Sequence, residues 1–142
     1  MKRISLHWLV LFSGLFVAGA ALSHHSREAY FHMDTILTLE DVTAVEFRVV
    51  NPHSQLIFTM ADEDGNDAEW TGGILSASHL RRAGVRPDLI SPGDKLTLTA
   101  SPARGDSNGF WIYKVVLPNG DTADLFDAIR AGTDVIIPAA AQ

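Results

Sequence analysis

Residues 35–50 read TILTLEDVTAVEFRVV, sixteen positions without Gly or Pro, half of them β-branched. Such a composition fits a pleated, half-buried strand. Leu37 and Leu39 alternate, and Val45, Phe47 and Val49 alternate again in shifted phase. The slip near Asp41 and Val42 predicts a β-bulge inside one long, curved strand. Asn51-Pro52-His53 ends the run, because Pro cannot donate to a central ladder.

Outward from that strand, Leu56, Phe58 and Met60 alternate, and Asp62-Glu63-Asp64-Gly65-Asn66 supplies a hairpin turn. Ala68, Trp70 and Gly72 continue as a third strand, with Phe58 and Trp70 expected to point inward. Ile74 to Ala83 predicts a helix, with Ile74, Ala77 and Leu80 on one stripe and Gly84 as its stop. Pro87 and Pro92 bracket a loop. Leu96, Leu98 and Ala100 then alternate, Arg104 to Gly109 form a turn, and Phe110 to Leu117 read as a fifth strand. The order β-β-β-α-β-β is that of a small five-stranded OB-fold-like barrel, all-β with one helix, over residues 35–120. A six-stranded sandwich is the alternative. Residues 121–142 form a tail with a short helix expected at Ala123–Ala131.

The chain has 142 residues, 46% of them hydrophobic, enough for a single core and too apolar for a disordered polymer. Eleven Lys and Arg stand against seventeen Asp and Glu, a net charge of −6. Lys2 and Arg3 are the only charges before Arg27. Without residues 1–23, nine basic residues face seventeen acidic ones, a net of −8. So acidic a protein is a poor binder of nucleic acid or anionic membrane, which call for clustered cations. The absence of Cys excludes disulfides, thiol catalysis and thiolate metal sites.

Met1-Lys2-Arg3 is basic, Trp8 to Ala18 is almost continuously apolar, and Gly19, Ala20 and Ala21 are small. This order predicts a secretory signal peptide over residues 1–23, hence a periplasmic address with no stable membrane anchor after cleavage. The apolar run falls short of the roughly 20 residues a spanning helix needs. Cleavage before His24 or before Ala21 both suit the sequence.

Residues 24–34 hold the chemistry-bearing side chains. His24 and His25 open the segment, His32 and Asp34 follow, and His53 stands after the first strand. If His24 is the first residue, its amine and ring chelate one metal together. A further imidazole from His25 or His53 completes a three-nitrogen set suited to copper. The metal candidates are therefore His24, His25 and His53, with His32 and Asp34 in reserve. The plain alternative is a solvated His-containing start and a turn histidine. No Ser lies in a Gly-x-Ser-x-Gly context and no acid–base pair has defined spacing, so no catalytic residue is assigned. The acidic turn at 62–66 places its Gly wrongly for an EF-hand loop and reads as a solvated hairpin.

Several short motifs keep a specific order: His24-His25-Ser26, Asn51-Pro52-His53, Glu69-Trp70, Leu80-Arg81-Arg82-Ala83-Gly84, Pro92-Gly93-Asp94 and Pro102-Ala103-Arg104-Gly105. Over residues 24–120 the chain resembles a family of small exported proteins of Gram-negative bacteria. The resemblance implies a periplasmic address and no established activity or cofactor. His24, His25 and His53 match that family's His-His-Ser and Asn-Pro-His positions. The expected function is a periplasmic binding module holding copper. The alternative is a metal-free module that engages a periplasmic protein partner. An enzyme is the least supported class.

Overall fold

A computed structural model describes residues 27–62, 64–105 and 107–141. Five strands close a barrel: β1 (Leu37–Arg48), β2 (Gln55–Ala61), β3 (Asp67–Gly73), β4 (Lys95–Pro102) and β5 (Gly109–Val116). Antiparallel neighbours run β3-β2-β1-β4-β5, and a short parallel pairing of Thr71–Gly73 with Gly109–Trp111 joins the two ends. One helix, α1 (Ala77–Arg82), lies between β3 and β4. This is the five-stranded OB-like barrel that periodicity predicts.

The long first strand makes closure possible. Its first half, from Leu37 to Thr43, pairs with β4, and its second half, from Thr43 to Arg48, pairs with β2. The expected bulge is present: the β4 register shifts between Leu39 and Val42, and Asp41 takes φ 56°. A second shift lies between Ala44 and Glu46. The two slips return Val42, Ala44 and Phe47 to the interior and leave Val45 39% exposed. A single phase change cannot describe such a strand. Bulges add twist and bend locally, which lets one strand run through both halves of a small barrel.

Phe58 is fully buried and faces its cross-strand partner Trp70, which packs half-buried on the same core. The pairing places both inward, as alternation predicts. Gly72 is where β3 turns toward β5. A Cβ there would lie 2.7 Å from Ile112 Cγ1, closer still to Ile112 Cδ1, and 3.6 Å from Phe58 Cε1. The seam closes only because this residue has no side chain.

The helix is shorter than its hydrophobic stripe. Ser76 stays extended at φ −62°, ψ 156° and its side chain accepts the His79 N–H, so helical geometry begins at Ala77. Capping by Ser overrides the apolar spacing that extends back to Ile74. Ile74 is buried in the core from the strand side, while Ala77 and Leu80 are buried from the helix. Gly84, at φ 77°, ends the helix, and Val85 N–H donates to Leu80 O at 2.9 Å.

The tail departs from expectation. Residues 122–124 do not begin a helix but form β6 (Thr122–Asp124), antiparallel to the second half of β5. The buried Asp124 carboxylate then accepts N–H bonds from Phe126, Asp127 and Ala128 at 3.2, 2.8 and 3.3 Å. It thereby caps α2 (Asp127–Ala131), so the helix starts four residues later than propensity suggests. A two-residue β7 (Ile136–Ile137) pairs with β6. Ala123 and Leu125 complete one side of the core.

Candidate functional site

The fifth strand carries apolar residues on both faces, Phe110 and Ile112 on one and Trp111 and Tyr113 on the other. Phe110 and Ile112 fill the barrel. Trp111 points to the outside of the wall yet is only 2% exposed. The segment before β1 and the start of α2 cover it. Phe31 lies 5.7 Å from the indole, His53 meets it edge-on at 5.6 Å, and Phe126 sits at 6.4 Å and 5.4 Å from Trp111 and Tyr113. The Arg27 guanidinium lies 5.2 Å over Trp111 and 4.4 Å over Phe126. Flat cations over aromatic faces are favourable where water is excluded.

The covering segment is stitched down along its length. Residues Arg27–Ala29 form a 3₁₀ turn, and Phe31 bridges to Ala103. His32 N–H donates to Pro102 O at 2.9 Å, and Arg104 N–H donates to Tyr30 O at 2.8 Å. Arg104 Nε donates to Glu28 O at 2.8 Å. Beneath, buried Ser101 donates to Thr35 O at 2.8 Å, which leaves Tyr113 as the donor in their 3.0 Å pair.

This arrangement leaves an open cleft of about 700 Å³ at one end of the barrel. Its walls are the β1–β2 turn with Pro52 and His53, the β4–β5 turn with Arg104, Ser107 and Asn108, and the segment Arg27–Phe31. Thr71, Gly73, Phe110 and Trp111 form the floor. The first two loops are those that OB barrels use to hold ligands. The volume lies within the range of small-molecule sites. Two arginines and a histidine line it, and no carboxylate does among the described residues. Trp111 Nε1 and Arg27 Nη1 are buried without a hydrogen-bond partner.

The histidines divide accordingly. His53 is on the cleft wall, exposed beyond its contact with Trp111. His32 turns its Nδ1 to Arg104 Nη1 at 3.3 Å, and because guanidinium only donates, that nitrogen must accept. Asp34 is exposed. Among the described residues no three His, Asp or Glu side chains gather as a metal group. His24 and His25 lie outside the described residues. His79 is exposed on α1 and pairs with Ser76 Oγ at 2.7 Å. In the acidic turn, Asp62 Oδ1 accepts the Asp64 and Asn66 N–H groups at 3.0 and 2.8 Å, a self-contained hairpin cap.

Arg27, Phe31 and Phe126 were not legible as site residues in sequence. The signal that points to them is the doubly apolar run Phe110-Trp111-Ile112-Tyr113. A strand with large aromatics on its outer face needs a cover, and here the flanking segments provide most of it, with His53 of the β1–β2 turn. No curated protein matches this chain, and no solved structure does. The sequence model of a family of unknown function, DUF6152, matches residues 14–111. The chain belongs to the DUF6152 family.

Proposed function

We propose that this protein is an exported binding module of the periplasm that holds a copper ion at the mouth of the cleft, through His53 and the His24-His25 start. The observation that supports this reading is the shared position of Arg27 and His53. Both lie against the Trp111 ring, at 5.2 and 5.6 Å from its centre. Residues 24–26 immediately precede Arg27, and three residues reach about 10 Å. The His24-His25 start therefore enters from the segment that carries Arg27 onto the cleft wall. Export follows from the basic, apolar and small order of residues 1–23.

In this reading the His24 amine and ring supply two nitrogens and His53 or His25 the third. Nitrogen donors in such number favour Cu(II). His32 is the weaker candidate because Arg104 occupies its Nδ1 and adds a positive charge. Bound imidazoles must be neutral, so affinity should fall below about pH 6.

Calorimetric titration with Cu(II) tests the reading on protein whose processed N-terminus is verified by mass. Placing one Ala before His24, or substituting His53→Ala, should each weaken binding sharply, whereas His79→Ala should not. Equal copper affinity in all four proteins would remove the metal site and favour the metal-free interaction module.

A further inference from the structure

We infer that the cleft is also a seat for a small organic acid, an apolar and flat body carrying one carboxylate. This inference does not depend on copper. Its first support is charge. The protein is acidic overall, with seventeen Asp and Glu against eleven Lys and Arg. The described cleft lining nevertheless carries Arg27, Arg104 and His53 and no carboxylate. A cationic lining draws small anions into the cleft.

The second support is unmet hydrogen bonding. Trp111 is nearly inaccessible, lines the cleft, and its Nε1–H has no acceptor. Arg27 Nη1 is in the same condition. Buried donors are almost always satisfied, and each orphan costs about 1–3 kcal/mol. Both donors belong to the same wall, since the guanidinium lies over the indole. A carboxylate has two oxygens, one for each donor, and would have to settle into this wall to reach them.

The body of the ligand follows from the rest of the lining. Phe31 offers a partly exposed ring and Pro52 and Ala103 aliphatic surface, over a floor in which Phe110 and Trp111 are buried. A flat apolar body would stack there. A singly charged carboxylate costs less to desolvate in such surroundings than a doubly charged phosphate ester. Arg104 is held at Nε by Glu28 O and at Nη1 by His32 Nδ1, which fixes its charge at the cleft wall.

The test uses the whole processed protein in the presence of a chelator, so that copper plays no part. 1-Naphthoate should bind one to one and shift the Trp111 indole N–H resonance downfield. Acetate, which lacks the body, and 1-naphthalenemethanol, which lacks the charge, should bind at least tenfold more weakly. Arg27→Gln should weaken naphthoate at least tenfold and leave the alcohol unchanged. Equal affinity for naphthoate and the alcohol in the wild-type protein would overturn the proposal, and that comparison holds even where a variant fails to fold. Tighter binding of 1-naphthyl phosphate than of naphthoate would overturn the carboxylate assignment. An unmoved Trp111 resonance under saturating naphthoate would place the ligand elsewhere and defeat it equally.

Discussion

The barrel seam gives the sharpest mechanical test, because the sign of one effect is at stake. At an ordinary strand position, Gly→Ala removes freedom from the unfolded chain and stabilises by about 0.4–1 kcal/mol. Gly72 is not ordinary. Its added Cβ would sit 2.7 Å from Ile112 Cγ1 and nearer to Cδ1. Ile112 is itself fully buried, and Phe58 stands 3.6 Å away on the other side. Neither neighbour has room to yield, so either the rotamer of Ile112 or the β3–β5 pairing must shift. Forcing a methyl into a filled core costs about 1–3 kcal/mol. Gly72→Ala should therefore destabilise by about 2 kcal/mol. Ile112→Val removes Cδ1, the atom of closest approach, and alone costs about 0.5–1.5 kcal/mol. In that background the second substitution should cost clearly less, a coupling of about 1 kcal/mol. Urea unfolding followed by Trp fluorescence, with both Trp70 and Trp111 inside the folded region, measures all three proteins. A Gly72→Ala protein as stable as wild type, or more so, would refute the seam as described.

Further outcomes follow from the same packing. Phe58→Ala should cost about 3–5 kcal/mol in equilibrium unfolding, and a loss under 1 kcal/mol would mean that the ring does not fill the barrel. Burial raises the Asp124 carboxyl pKa, but the Ala128 and Phe126 N–H groups and Lys114 outweigh it, so the group is held below its ordinary value. Its stabilisation is then complete above the unfolded value near 3.8 and is lost as pH falls through the depressed folded value. Asp124→Ala should lower stability by about 1–2 kcal/mol at pH 7, and the gap to wild type should narrow below pH 4. Ser101→Ala removes the donor to Thr35 O and the acceptor for Tyr113, and should cost about 1–3 kcal/mol. Hydrogen exchange should then quicken at the His32 and Arg104 amides, and unchanged exchange there would separate Ser101 from the strapping of the segment.

The barrel was readable because its strands alternate and because its turns carry their own chemistry. Leu56 and Phe58, Leu96 and Leu98, and Phe110 and Ile112 each mark one buried face at period two, and all six are buried. The Ser76 cap and the β6 strand were not readable for a common reason. In both, a polar side chain satisfies backbone donors locally, and this competes with the apolar spacing on which sequence reading relies. Asp124 illustrates it: as a strand residue with a buried carboxylate it looks misplaced, until three N–H groups of the following turn are seen to need an acceptor.

The cleft posed a harder problem, because its parts come from four separate stretches of chain. Arg27, His53, Arg104 and Trp111 are unremarkable one by one. They meet because the chain must turn at Asn51-Pro52 between β1 and β2, because β4 and β5 need a turn, and because the outer face of β5 must be covered. The last condition is the informative one. Phe110-Trp111-Ile112-Tyr113 cannot satisfy both faces with one barrel interior, so its outer half recruits Phe31 and Phe126. The cover brings Arg27 onto the indole and leaves one donor of each buried and unpaired, in two residues that line the cleft. A segment serving only to seal the strand would be expected to pair those donors or to replace them with apolar groups, since orphaned N–H groups are costly. Retention of both on a ligand-sized cleft is better explained by an acceptor that arrives from outside.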